Sequence, residues 1–154
     1  MREIKFRYWD KEENRMISGD DLAFEEYAPL KHLLNQPGIM QFTGIKDKNS
    51  REIYEGDIVK QSFYKDVRTQ YGFGYETEFE TFEGYFIGAV AIIASKGACL
   101  KNPIRKMDVN DEEEPIKITK QYKVLASWRC EVIGNIFEDP DLLKKIASER
   151  RDEE

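Results

Sequence analysis

A two-residue alternation of apolar and polar side chains is the main pattern along this chain. Near the N-terminus, charged residues alternate with Ile4, Phe6 and Tyr8. This period predicts a β-strand with a half-buried apolar face and an exposed charged face. The polar run 10–14 predicts a turn, and residues 15–18 predict the returning strand of a hairpin.

A less regular stretch follows this hairpin. Residues 22–35 have helical spacing, which Pro29 interrupts, so we expect a short helix or loose helical turns. Pro37-Gly38 then breaks the pattern. We place the boundary there, with an N-terminal hairpin and irregular or helical arm at 1–38 and a β-barrel domain with a terminal helix at 39–154. The alternative is one continuous domain.

The segment 39–60 predicts a run of strands and tight corners. Residues 39–43 form the first strand, and 47–50 form a polar turn. A second short strand leads to Glu55-Gly56-Asp57, where the glycine supplies the backbone freedom for a sharp corner. The Asp57 carboxylate is expected to tie this corner by accepting a hydrogen bond from a nearby backbone N–H.

Alternation returns at 71–81, with aromatic residues and threonines on one face. The other face carries Glu76, Glu78 and Glu80. Residues 85–94 are apolar on both faces, as expected of a central strand. Glycine, prolines and an acidic run at 111–114 predict that 95–115 is a long mobile loop with the acidic cluster at its tip.

The last part of the chain predicts two strands and a helix. Residues 116–126 alternate cleanly, and 130–137 form an apolar strand in which Gly134 indicates a bulge or a close backbone contact. Asp139-Pro140 predicts the start of a short helix. Seven or eight strands and one convincing helix indicate a mainly β protein, closed into a small barrel or roll.

Composition narrows the functional classes. The 154 residues carry a net charge of −6, which argues mildly against non-specific nucleic-acid binding. An apolar run of membrane-spanning length is missing, and the charged, aromatic N-terminus does not resemble a signal peptide. Cys99 and Cys130 lie in or beside apolar runs, so we expect reduced, buried thiols in a cytoplasmic protein. A single histidine, His32, leaves little basis for metal or histidine-dependent catalysis.

Three segments of the sequence resemble the YopX family of phage and prophage proteins. They are EIKFRYWD near the N-terminus, QFTGIKDKNSREIYEGDIVK in the centre and EVIGNIFEDPDLL near the C-terminus. The residues that carry the central and closing signatures are Gln41, Thr43, Gly44, Asp47, Tyr54, Glu55, Gly56, Asp57, Ile58, Val59, Ile133, Gly134, Asn135 and Ile136. The family commonly has glycine after Asn49, where this chain has Ser50.

The resemblance implies an SH3-like barrel in the C-terminal part and an origin in a phage or prophage of a bacterium. It implies no activity, cofactor or metal. Combined with the residue pattern, the expected fold is a mainly β, small SH3-like barrel or roll with an N-terminal β-hairpin arm and a short C-terminal helix.

Acidic residues offer three candidate sites, each with a simpler interpretation. Glu55 and Asp57 flank a glycine and could serve acid–base chemistry or hold a divalent cation, but turn chemistry alone explains this pattern. The acidic run 111–114 lacks the alternating ligand spacing of a calcium loop and is typical of solvated surface. The glutamate stripe at 76–80 is either a solvated strand face or a rim for a basic partner, its repulsion relieved if Lys117 and Lys123 lie on the adjacent strand.

Aromatic and basic residues suggest interaction surfaces. Nine of the 24 residues from Phe63 to Phe86 are aromatic, which favours core packing and subunit contact. A nucleic-acid face would need clustered cations, and the candidates are Lys46, Lys48, Arg51 and Lys60, extended by Lys65 and Arg68.

Three functions follow from these observations. The first is a non-enzymatic cytoplasmic β module that binds other proteins, namely a phage or host partner and further copies of itself. The second is a small nucleic-acid-binding β-barrel, which the acidic balance does not favour. The third is a toxin-like ribonuclease, suggested only by the Gly-Asp-Ile-Val strand start. We expect no catalytic residue, cofactor, metal or membrane contact.

Overall fold

The computed structural model describes residues 4–19, 37–71 and 76–148. The helix expected at 22–35 and His32 lie outside these residues. Among the described residues there are eleven strands, a 3₁₀ turn at Ser127–Arg129 and one helix, α1, at Leu142–Ser148. The strands are β1 (Phe6–Asp10), β2 (Arg15–Ile17), β3 (Ile39–Lys46), β4 (Glu52–Tyr54), β5 (Asp57–Tyr71), β6 (Glu76–Ile93), β7 (Gly97–Val109), β8 (Glu112–Glu113), β9 (Lys117–Ile118), β10 (Tyr122–Val124) and β11 (Cys130–Asn135).

The strands form two antiparallel sheets. The smaller has the order β2-β1-β3-β4, and the larger has the order β10-β7-β6-β5-β11, with β8 and β9 paired to β7. The prediction of a mainly β fold with curled sheets and a short C-terminal helix is confirmed. Strand β1 pairs with β3, so the N-terminal hairpin adds to the same sheet as the central segment. The division at residue 38 stays a prediction.

The buried core lies between the larger sheet and the β4 segment. Its buried members are Ile53, Val59, Val90, Leu100, Leu125, Cys130 and Val132. These residues come from six strands or loops that are distant in sequence. Burial of such side chains contributes about 1.5–3 kcal/mol each, so this cluster holds the two curled sheets together.

Strands β5 and β6 make a long hairpin that dominates the larger sheet. Their register runs without interruption from Ile58, opposite Ala89, to Tyr71, opposite Glu76. Strand β6 lies between β5 and β7, which confirms the prediction of a central strand at 85–94. Of the strand predicted at 71–81, residues 76–81 form the outer part of β6, which continues into that central strand without a break. Tyr71 instead ends β5 opposite Glu76, and 72–75 lie outside the described residues.

The prediction of a mobile loop at 95–115 is wrong. Residues 97–109 form β7, which pairs with β6, and 112–113 add a short strand to its end. Pro103 lies where the β6–β7 register shifts, and the preceding Asn102 has a positive φ of 45°. Proline is tolerated in a sheet at such a bulge, so the residue that suggested a loop instead bends a continuous strand.

Three other expectations need correction. The uniform strand at 116–126 is two short strands, β9 and β10, and the helix begins at Leu142, beyond Asp139-Pro140. Lys117 lies opposite Arg105 and Lys123 opposite Leu100, both on β7. The glutamate stripe of β6 is paired with β5 instead. The two lysines therefore do not lie across from the stripe.

Phe6 and Tyr8 of β1 are half-buried as expected, but the face predicted to be exposed and charged is also partly buried. The side chain of Arg7 is only 13% exposed and that of Trp9 is buried, whereas Ile4 is exposed. Arg7 lies directly opposite the buried Met40 of β3. An internal partner for its charge, described below, makes this inward orientation possible.

Candidate interaction surfaces

The Glu55-Gly56-Asp57 corner joins three segments of the chain. Gly56 has φ of 87°, a conformation that glycine adopts without steric cost. Its N–H donates to the carbonyl of Val90 at 2.9 Å, and its carbonyl accepts from the N–H of Ile136 at 2.9 Å. The Glu55 N–H donates to the Gln41 carbonyl at 2.9 Å. These backbone hydrogen bonds indicate that the corner has a structural role.

The Asp57 carboxylate is held inside the protein. It forms an ion pair with the Arg7 guanidinium, and its other oxygen accepts the Tyr54 N–H at 2.8 Å. Arg7 also lies 4.4 Å over the Tyr54 ring. Burial raises the pKa of Asp57, with Arg7 opposing that shift. Only 1% of the Asp57 side chain is exposed, so this carboxylate has no open route to a substrate or a cation.

The turn at 47–50 is organised by the carboxylate of Asp47. One oxygen accepts the N–H groups of Asn49 and Arg51, each at 2.9 Å, and the other accepts the N–H of Val132 at 3.0 Å. Burial raises the pKa of Asp47, but these backbone hydrogen bonds outweigh it and bring the pKa below its ordinary value. Asp47 thus fastens the β3–β4 turn to β11.

Ser50 follows Asn49 and is the left-handed residue of this turn. Its φ is 66°, and its N–H donates to the Asp47 carbonyl at 3.0 Å. Within the turn, positive φ is confined to this residue. The loop is therefore a tight turn followed by one left-handed residue. It is not the mirror-image turn, which requires two left-handed residues.

The closing signature forms a bulge and a side-chain cap. The β11–β5 register shifts between Val132 and Gly134, and a Cβ on Gly134 would lie 2.6 Å from Asp139 Oδ2. The expected bulge or close contact is confirmed. Asn135 Oδ1 accepts the N–H groups of Phe137 and Glu138 at 3.0 and 2.8 Å. This segment turns the chain toward α1.

The remaining signature residues sit in strands and at their ends. Thr43 Oγ1 donates to the Ile53 carbonyl at 2.7 Å, linking β3 to β4. Gly44 has a positive φ of 83°, and Gln41 is exposed on β3. Ile58 and Val59 are buried at the start of β5, whereas Ile133 is half-buried and Ile136 is exposed. These contacts indicate that the remaining signature residues stabilise the fold.

The cations proposed as a nucleic-acid face lie among acidic residues. Lys48 Nζ is 3.4 Å from Glu131, which lies directly opposite Lys60. Lys46 lies opposite Glu52 in the β3–β4 pair, and Arg51 is exposed beside it. The four residues are grouped at one end of the β3–β4 and β5–β11 pairs, with carboxylates interspersed among them. The sequence pattern alone does not show which carboxylates lie beside these cations in the folded chain.

A second basic region includes Lys65, which was proposed from the sequence, and three cations that were not. A groove of about 760 Å³ opens on the face of the larger sheet beyond the core. Its basic residues are Lys65, Arg105, Lys123 and Arg129, and its aromatic residues are Phe63, Tyr64, Phe82, Phe86 and Tyr122. The other described residues that line it are Gln61, Met107 and Val124, so no carboxylate lines this groove. We call it the basic groove.

Aromatic stacking and cations combine within the basic groove. The rings of Phe63 and Phe86 have centroids 5.0 Å apart, and Lys123 Nζ lies 4.7 Å from the Phe86 ring. In the described part of the chain, none of the four cations forms an ion pair with a carboxylate. The buried Nε of Arg129 likewise has no hydrogen-bond partner there. The groove is therefore a concentrated positive surface on an acidic protein.

The outer part of the long hairpin forms a ribbon of two strands. Strand β7 pairs with β6 as far as Phe82, and β11 pairs with β5 as far as Gln61. Residues 66–71 and 76–81 pair with each other beyond the ends of β11 and β7, and Thr81 at the base is also hydrogen-bonded to Asn110. We call these residues the ribbon. Phe79 is 60% exposed on it, where Arg68 lies 4.8 Å over the ring, and Glu78 and Glu80 are exposed as well.

The two thiols are placed as expected. Cys99 and Cys130 are both buried and unbridged. Burial raises the pKa of Cys130, whose Sγ donates to Gln61 Oε1 at 3.1 Å. No group of three or more potential metal ligands occurs over residues 4–19, 37–71 and 76–148. Across the same residues, no helix has both the length and the hydrophobicity of a membrane span.

Comparison with known proteins identifies the family. The structure is similar to the crystal structure of protein EF1440 from Enterococcus faecalis, with a TM-score of 0.41 and 20% identity, over 93% of this chain and 99% of that chain. Among curated proteins, none matches this chain. The family model described as YopX protein matches residues 5–144, which covers the hairpin, both sheets and the first three residues of α1. The chain belongs to the YopX family.

Proposed function

We propose that this protein is a non-enzymatic interaction module that associates with further copies of itself and binds a phage or host protein. The observation that carries the proposal is the ribbon, which extends past the third strand of the sheet. An isolated two-stranded hairpin is marginally stable in water. Such an element gains stability when a partner covers it.

The edges of the ribbon supply backbone groups for a partner. Residues 62–71 of β5 lie beyond the end of β11, and residues 76–80 of β6 lie beyond the end of β7. Unpaired strand edges of this length invite pairing with another chain. Tyr64, 62% exposed, and Phe79 add apolar surface of the type enriched at protein interfaces.

Sedimentation velocity over a concentration series tests self-association. The informative variant replaces residues 66–81 by Asn-Gly, which joins the directly opposed Lys65 and Phe82 by a tight hairpin turn. The full chain should increase in mass with concentration, and the shortened chain should stay monomeric with a similar melting temperature. A full chain that is monomeric at the highest attainable concentration would contradict the proposal.

The biological setting belongs to the same proposal. Encoding by a phage or prophage is supported by the resemblance to the YopX family, and a location in the bacterial cytoplasm is supported by the two buried, unbridged thiols. Affinity purification of the tagged protein from phage-infected cells would identify a phage or host partner. Recovery of the tagged chain with no enriched partner would restrict the function to self-association.

The basic groove favours a second candidate function, binding to single-stranded nucleic acid. Cations beside stacked aromatic rings are the usual means by which such strands are held. Fluorescence anisotropy with labelled oligonucleotides at low salt would test it, and an absence of binding would eliminate this candidate. The ribonuclease alternative has no similar support, because the carboxylate of its strand-start motif, Asp57, is buried in an ion pair.

A further inference from the structure

One face of the larger sheet carries opposite charge at its two ends. Directly opposed residues and every second residue along a strand share a face. Glu78 and Glu80 of the ribbon therefore lie on the same face of β6 as Phe82 and Phe86 of the basic groove. Acidic side chains occupy the outer end of this face, and the four cations of the groove occupy its inner end.

We propose that two copies of the chain pack face to face about a two-fold axis, with the acidic ribbon of each copy lying on the basic groove of the other. The proposal rests on the self-association proposed above and specifies the surface that forms it. A two-fold interface joins a patch to itself, so the patch must be self-complementary. A face that is acidic at one end and basic at the other meets this requirement when one copy is reversed.

The spacing along β6 sets where the axis would lie. Six residues separate Glu80 from Phe86, which corresponds to about 20 Å of extended strand. The midpoint of that distance falls near Gly84, opposite Phe63 and beside Met107. Apolar side chains would thus occupy the centre of the interface with charged pairs on both sides, the usual arrangement of core and rim.

Electrostatics favours a second copy over a nucleic acid as the occupant. The chain carries a net charge of −6, and five acidic residues lie between Phe63 and Phe86. A polyanion in the groove would approach these carboxylates, which repel it. A second copy instead uses the same carboxylates as partners for the cations.

Charge reversal at each end gives the decisive variants. The groove variant is Arg105→Glu with Lys123→Glu, and the ribbon variant is Glu78→Lys with Glu80→Lys. The matched control is Lys144→Glu with Lys145→Glu, two exposed residues of α1 outside both surfaces. Circular dichroism and thermal melting establish that each variant folds. Arg105→Gln with Lys123→Gln replaces the groove variant if charge reversal prevents folding.

The expected result is loss and restoration of a dimer in sedimentation velocity. Each reversed variant alone should bind itself at least about a hundredfold more weakly, because like charges then face each other at both contacts. An equimolar mixture of the two reversed variants should form a heterodimer, because both contacts again join opposite charges. Added salt should weaken the wild-type dimer, and the α1 control should behave like the wild type.

Three results would contradict this interface, and each leads to a different conclusion. If the wild type associates and both reversed variants associate equally well, another surface joins the copies and only this inference fails. If the wild type is monomeric throughout, the proposed self-association fails as well. If the groove variant still dimerises but loses binding to a labelled single-stranded oligonucleotide, the groove is a nucleic-acid surface.

Discussion

The buried ion pair between Arg7 and Asp57 allows a quantitative test of how β1 is held to the rest of the fold. We consider Arg7→Met, which keeps the length of the side chain and removes its charge. The substitution leaves a carboxylate that is 1% exposed and that, among the described residues, keeps the Tyr54 N–H as its hydrogen-bond donor. Removing one member of a buried pair typically costs about 3–5 kcal/mol. For a chain of this size that corresponds to a fall in melting temperature of roughly 10 °C.

The loss should depend on pH, and its sign follows from Asp57. Burial already raises the pKa of this carboxyl, and Arg7 opposes the shift. Without Arg7 the folded-state pKa rises further. An acid whose folded-state pKa is raised favours folding below its ordinary pKa, and that contribution is lost as pH rises through the folded-state value. The Arg7→Met variant should therefore be closest to the wild type near about pH 4 and furthest from it near about pH 7.

The assay is urea denaturation of wild type and variant at both pH values. Lys5→Met, just before β1, is the matched control, because Lys5 pairs with Glu52 at 2.7 Å but both side chains are about one-third exposed. That pair should contribute less than about 1 kcal/mol. The double variant Arg7→Met with Asp57→Asn should recover part of the loss at neutral pH. Equal destabilisation at both pH values, or a loss no larger than that of Lys5→Met, would refute the reasoning.

Three further predictions concern the turns and the bulge. Ser50→Gly should stabilise the protein by about 0.5–1 kcal/mol in urea denaturation, because it relieves a left-handed conformation; a loss of stability would contradict this. Gly134→Ala should lower stability by about 1–3 kcal/mol, since the new methyl meets Asp139; an unchanged urea midpoint would be the contrary result. Asp47→Asn should destabilise at neutral pH, and the gap from wild type should narrow on acidification. Asp47 has a lowered pKa, so its contribution is present above the ordinary carboxyl pKa and lost as pH falls through the folded-state value. A gap that widens on acidification would overturn this assignment.

Local chemistry allowed several parts of the fold to be predicted from residues alone. The hairpin β1–β2 and the turn at 47–50 follow from contacts between near neighbours, as does the corner at Gly56. The same holds for the bulge at Gly134, where a missing Cβ is the only signal needed. Strand β7 was not predicted because a proline, here Pro103, usually interrupts a strand. Only the pairing with β6 shows that the strand bends at Pro103 and continues.

The basic groove illustrates what local reasoning does not reach. Lys65 and Arg105 come from neighbouring parts of the sheet, but Lys123 and Arg129 come from a later strand and a 3₁₀ turn. Lys65 was among the cations proposed from the sequence, but nothing in the sequence context of the other three indicates that they lie beside it. Other cations proposed from the sequence, such as Lys48 and Lys60, share their surface with Glu131.

By itself, then, the order of residues determined the β class of the protein, its tight corners and its family, because backbone conformation and side-chain period are decided within a few residues. The partners of each strand were decided only in three dimensions, since they depend on which distant segments bury apolar surface together. Arg7 points inward because Asp57 is there to neutralise it, and the groove is basic because four separate segments place their cations on one face. Charge acts over distances in space, and the fold alone sets those distances.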